Sequence, residues 1–251
     1  MRTANPALNP KLFEREGRAT VPGETMTAQG TANKTGVLLL LLVVPAFWIW
    51  NKFSSLPLEE LGSAAMPWMF GGMIVGFILA MVTIFKKTVA GVTAPLYALA
   101  QGVFLGAISL VFEASFPGIV LQAVGLTLGV MFVMLGLYKS GVIKVTAKLR
   151  MAIVAATGGI ALLYIASIVL GFFGVGIPLI HGSGTFGILF SLFVVGVAAF
   201  NLVLDFDFVD RASAAGFPKY MEWYGAFGLI VTLVWLYLEL LRLLSKLNSR
   251  R

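Results

Sequence analysis

The chain contains no cysteine and a single histidine. Disulfides and thiolate metal centres are thereby excluded, and a zinc-type site built from several histidines is excluded as well. Charge is also scarce. Asp, Glu, Lys and Arg make up 12% of the 251 residues, against ~25% in a typical soluble domain. Acids are the scarcer sign, 11 against 18 bases. All three aspartates, Asp205, Asp207 and Asp210, fall in the one stretch Asn201-Leu-Val-Leu-Asp-Phe-Asp-Phe-Val-Asp210. No repeat recurs at a fixed period, so solenoid and array architectures are excluded. The apolar runs are continuous rather than alternating, which argues against a membrane barrel.

What fills the chain instead is apolar sequence: 59% hydrophobic residues and a mean hydropathy of +0.95. Seven runs approach the ~20 residues a helix needs to cross the hydrocarbon layer. They are approximately Gly36–Trp50, Met66–Phe85, Ala94–Phe112, Gly118–Tyr138, Met151–Phe173, Thr185–Leu204 and Trp223–Leu244. The fold class is an all-α, multi-pass membrane protein with one domain over residues 36–251. Residues 1–35, with Pro6, Pro10 and Pro22 and scattered charges, read as a flexible polar tail without the features of a secretory signal. Gly72/Gly76, Gly102/Gly106 and Gly125/Gly129 put small residues one turn apart on the second, third and fourth spans, where helix backbones can approach closely in lipid.

The basic balance, with a pI near 9.8, is explained by membrane orientation rather than by nucleic acid. Arg2, Lys11, Arg15, Arg18, Lys34, Lys86, Lys87, Lys139, Lys144, Lys148, Arg150, Arg211 and Lys219 fall on one side, which predicts a cytoplasmic N-terminus in the inner or plasma membrane. Lys52 falls on the other side, and Arg242, Lys246, Arg250 and Arg251 join it if all seven spans cross. Either the last helix stops short or the other segments outvote the tail, and the second account is preferred.

A carboxylate near the bilayer interior costs roughly 2.5–3.5 kcal/mol on insertion scales, so it faces a bundle interior or a watery cavity and marks an ion or proton path. On a helix, Asp205 shares a small, polar face with Asn201, Ala198, Val194 and Ser191, whereas Asp207 lies on a different face within one turn of Asp210. Asp205 is therefore the candidate interior acid, while Asp207 and Asp210 are expected to stop the span at the cytoplasmic boundary. Glu222 follows Pro218 at the start of the last helix, where capping explains an acid. Glu239 stands three residues before Arg242, an intrahelical ion pair. His181 reads as an exposed loop residue, and Ser183 has no general base placed by a motif. All the aspartates belong to one helix end, so an intramembrane aspartic protease, which needs carboxylates from two helices, is disfavoured. The chain is read as a non-enzyme without a resident cofactor.

Met26-Thr-Ala-Gln-Gly-Thr-Ala-Asn-Lys-Thr-Gly36, Ala94-Pro-Leu-Tyr97 with Gly102-Val-Phe-Leu-Gly106, the Asp205-Phe-Asp207 helix end and Pro218-Lys-Tyr-Met-Glu-Trp-Tyr-Gly225 together resemble bacterial members of the Bax inhibitor-1 (transmembrane Bax inhibitor motif) family. The resemblance implies seven helices with the last one central, and a pH-sensitive calcium leak. It further implies that Asp205 is the first acid of a proton-sharing pair and the acid that meets calcium, and that Lys86, rather than Lys87, is the basic latch. Asp207, Asn201 and Glu222 accompany Asp205 as candidates for the ion pathway and pH sensor. The position of the second acid falls on Leu233, leaving Glu222 as a substitute by topology only. The implied partners are the lipid bilayer, calcium or other cations, and a membrane-protein partner. The competing reading is a non-conducting membrane regulator of stress response or membrane proteolysis that acts through protein partners.

Overall fold

The computed structural model describes residues 25–174 and 182–250. His181 lies outside the described residues. Within them seven helices are long and apolar enough to span a membrane: α1 Ala28–Phe53, α2 Leu58–Phe85, α3 Ala90–Ser115, α4 Ile119–Lys139, α5 Ala147–Phe172, α6 Thr185–Ala214 and α7 Met221–Asn248. A one-turn 3-10 helix, Lys87–Val89, joins α2 to α3. No strand occurs among the described residues, only an isolated bridge between Thr25 and Pro218.

The last two helices form the centre. In the most apolar stretch of each helix, 67% of residues are buried in α7 and 61% in α6, against 17% in α1, α2 and α5. Helix α7 packs against α1, α3, α4 and α6, while α2 packs chiefly on α3. Tyr97 of α3 meets Phe227 of α7 edge to face, with centroids 4.9 Å apart, inside the main core. The outer faces of α1, α2 and α5 carry Leu40, Phe47, Phe77, Leu162 and Phe172 exposed, as expected where hydrocarbon is the solvent.

Two of the three small-residue pairs make the contacts their spacing suggests. Gly102 and Gly106 let α3 lie on α1, where a Cβ at Gly102 would overlap the Leu42 carbonyl oxygen and one at Gly106 would sit 2.7 Å from that of Ala46. Gly72 does the same for α2 on α3, beside Phe104 N and Ala100 O. Gly125 and Gly129 of α4 face open space.

Two expected boundaries are corrected. Of the polar segment read as tail, Ala28–Thr35 are the opening turns of α1. Thr27 caps that helix by accepting from Gly30 N, a standard N-cap arrangement. Thr31 and Thr35 are buried because their hydroxyls donate back to the Thr27 and Thr31 carbonyls, which removes the cost of burying them. At the other end, α6 does not stop at Leu204. It continues to Ala214 and terminates before Gly216, whose φ of +70° is the left-handed conformation that commonly follows a helix end.

Candidate functional site

The longer α6 carries the three aspartates inside the helix, and each turns to a different neighbour. Asp205 is fully buried, roughly 13 Å before the helix end. Its Oδ2 accepts from Thr232 Oγ1 of α7 at 2.5 Å. Asp207 faces α5 and is also buried. It accepts from Arg150 Nη2 at 2.7 Å and from Arg211 Nε at 2.9 Å. Asp210, half-buried, faces α4 and accepts from Tyr138 Oη at 3.1 Å and Lys139 Nζ at 2.9 Å. The expectation that Asp207 merely ends the span is thus not what the structure has: it is half of a buried ion pair with Arg150, a residue read from sequence only as an orientation charge.

Asn201, one turn before Asp205, is buried and donates to Thr157 Oγ1 of α5 and to the Val197 carbonyl, both at 2.9 Å. It lines the same helix as Asp205 but is satisfied by a different neighbour.

Glu222 is fully buried, and it does not join Asp205. Its carboxylate accepts from Thr27 N at 2.9 Å, from Thr27 Oγ1 at 3.1 Å and from Lys34 Nζ, with Lys219 Nζ at 4.0 Å. Gly30 lies directly under it, where a Cβ would overlap the carboxylate. Lys34 also stands 5.5 Å from the Trp223 ring centroid. This cluster clasps the start of α1 to the start of α7. It lies ten residues from Thr232, roughly 15 Å along the helix.

The latch residue fares differently from expectation. Lys86 is the C-cap of α2, exposed, and its side chain makes no hydrogen bond or ion pair among the described residues. Lys87, on the 3-10 turn that packs against α7, is half-buried and engaged. Helix α2 ends at Phe85, so the two lysines do not follow helical spacing. Lys87→Gln should therefore disturb the protein more than Lys86→Gln. Thermal denaturation in detergent at matched expression reads the difference, and equal midpoints would make both lysines boundary charges.

At the opposite end, Glu239 is buried and accepts from Arg242 Nη1 at 3.0 Å, the expected i,i+3 pair, and also from Tyr164 Oη of α5 at 2.8 Å. Lys246 is buried, donating to the Gly187 carbonyl at 3.0 Å and Ser191 Oγ at 2.8 Å. Glu113 closes α3 by accepting from Gly118 N and Val120 N. Leu233, at the position of the missing second acid, lines an apolar cleft of about 800 Å³ bordered by α1, α3, α4 and α7. The polar side chain that reaches Asp205 is its neighbour Thr232. Thr232, Arg150 and Tyr164 were not singled out in the sequence; the only signal is that Arg150, Thr157 and Tyr164 recur at every seventh residue of α5.

Among the described residues no three His, Asp or Glu side chains come together as a metal cage. Six apolar helices packed around a central seventh, with buried carboxylates satisfied by side chains of neighbouring helices, define a multi-pass membrane protein with acids inside the bundle. The family model described as Bax inhibitor 1 like matches residues 5–249, essentially the whole chain, and the protein belongs to that family. No curated protein and no solved structure matches the chain.

Proposed function

We propose that this protein is a pH-sensitive cation leak, with calcium as its cargo and no enzymatic activity or resident cofactor. The observation that carries the reading is Asp205. It is a fully buried carboxylate on one of the two central helices, hydrogen-bonded to a hydroxyl of the other. A buried acid in a membrane bundle marks an ion or proton path, and carboxylate and hydroxyl oxygens suit a hard cation such as calcium. Few ligands and weak binding suffice for a leak, because the ion must also depart. Protonating Asp205 would remove the charge that attracts the cation, so flux should depend on pH. Lys87 is the counter-charge we favour in place of Lys86, since it alone of the two is engaged and sits on the turn that touches α7.

The test is calcium entry into liposomes containing only the purified protein, from acidic to neutral pH. Asp205→Asn should remove most of the pH variation, whereas Asp210→Asn, altering a half-exposed pair, should leave it nearly intact. An unchanged profile in Asp205→Asn would move the sensor elsewhere. A specific observation also favours the second reading, a non-conducting regulator acting on membrane-protein partners: Asp205 and Glu239 are both sealed from solvent. Absence of flux from the native protein at every pH would select it.

We further propose that the N-terminus is cytoplasmic and that the membrane is the inner or plasma membrane. The basic C-terminal residues need not oppose this. Lys246 is buried, Arg242 is paired with Glu239, and Arg250 donates to Thr185, so the bundle takes up part of their charge. Lys144→Cys and Ser183→Cys, made singly in this cysteine-free chain, should react with an impermeant thiol reagent from opposite faces. Reaction from the same face would overturn the topology.

A further inference from the structure

Helices α6 and α7 run antiparallel, and their polar residues keep a common interval. On α7 Thr232, Glu239 and Lys246 recur every seventh residue; on α6 Ser191, Ala198 and Asp205 do the same. Thr232 meets Asp205 and Lys246 meets Ser191, so the shared register sets Glu239 level with Ala198, whose small side chain leaves the carboxylate facing α5. Helix α5 supplies the third edge, again every seventh residue: Arg150 to Asp207, Thr157 to Asn201, and Tyr164 to Glu239. From Asp205 to Lys246 this polar seam runs roughly 20 Å, two-thirds of the ~30 Å hydrocarbon thickness.

Helix α5 is a removable wall by its own attachments. Its most apolar stretch is only 17% buried. Its apolar contact with the bundle centres on Ile160 against Val194 and Val197, with Ala156, Tyr164, Phe190 and Trp235 packed alongside, and three polar rungs add to it. One rung is incomplete: Arg150 Nε is buried without a hydrogen-bond partner. An unmet buried donor costs roughly 1–3 kcal/mol, which lowers the barrier to lifting the helix.

Glu239 is the one carboxylate on the seam beyond the Asp205 level. Its charged and titratable neighbours are Arg242 on α7, Tyr164 on α5, and Lys246 one interval further along; Val194, Val197 and Ala198 on α6 bring none. Arg242 is 38% exposed in its side chain and stacks 5.0 Å from the Tyr164 ring centroid. Its Nη1 donates to both Glu239 oxygens and to Tyr164 Oη at 2.6 Å, so a swing to solvent would free all three oxygens at once.

We propose that Glu239, with the Tyr164 hydroxyl, is a second divalent-cation site on a seam that α5 covers and uncovers, placing two carboxylates in series rather than side by side. The proposal deepens the leak reading and rests on it for the identity of the cargo. Serial weak sites are what lets an ion enter and leave.

Ser191→Cys and Thr157→Cys are near-isosteric reporters on the seam, with Leu233→Cys in the apolar cleft as control. A charged, water-soluble methanethiosulfonate should modify the two reporters and spare the control. Adding Arg150→Gln, which loosens the wall, should speed the reaction. Calcium at about ten times its dissociation constant should slow modification about tenfold, since only the unoccupied fraction reacts. Glu239→Gln should abolish that protection while Asp205→Asn leaves part of it. Reporters as inert as the control would overturn the seam, and protection that survives Glu239→Gln would overturn the site. If the native protein passes no calcium yet shows Glu239-dependent protection, the leak reading fails and the binding site stands.

Discussion

Arg150→Met should destabilise the protein by about 3 kcal/mol, the lower part of the range for removing one partner of a buried ion pair. The loss is dominated by Asp207, which would be left buried with only the half-exposed Arg211. For a protein of this size that corresponds to a fall of roughly 10 °C in the midpoint of thermal unfolding in detergent. Lys139→Met breaks a more exposed pair with Asp210 and should cost no more than about 1 kcal/mol. The double variant Arg150→Met/Asp207→Leu should recover much of the single variant's loss, because neither charge then remains buried alone. Equal midpoints for Arg150→Met and Lys139→Met would show that the α5–α6 pair is no stronger than a surface contact.

Gly102→Ala and Gly125→Ala should shift stability in opposite directions, although both remove a glycine from a mid-helix small-residue pair. At Gly102 the new methyl overlaps the backbone of α1 at Leu42. Backbone cannot rotate aside, and α1 and α3 must separate at a cost of about 1–3 kcal/mol or more. At Gly125 the methyl meets nothing within 4 Å, so only the better helix propensity of alanine is felt, a gain of roughly 0.5–1 kcal/mol. Unfolding midpoints of the two variants test this directly, and a loss at both would mean that Gly125 also lies in a tight interface.

These contrasts mark where sequence reading succeeds. Seven spans were legible because hydropathy over ~20 residues is a strong signal and lipid forces helices. The burial of Asp205 was legible from the small, polar face it shares with Asn201 and Ser191. The ends of α1 and α6 were not, for one reason: a polar residue reads as exposed unless its partner is known. Thr31 and Thr35 are buried because they bond their own helix backbone. Asp207 stays inside α6 because Arg150, remote in sequence, reaches it. No local pattern announces such a partner. The three-way split of the aspartates follows from helix geometry, yet assigning each to α7, α5 or α4 requires the packing itself. Lys86 and Lys87 stand just past the end of α2, and a helix boundary placed to the residue is finer than sequence reading resolves.

The clasp of Glu222 on Thr27 and Lys34 joins α1 to α7, the two spans furthest apart in sequence among those described. A chain synthesised from its N-terminus inserts α1 long before α7 leaves the ribosome, so Lys34 and the Thr27 cap must wait through five intervening helices for their carboxylate. The same delay holds for Asp205, whose hydroxyl partner Thr232 also arrives with α7. Until then α6 lacks its partner at the centre, and Asp205 has no donor from that side. Placing α7 between its neighbours therefore completes the core and both of these buried contacts in one step.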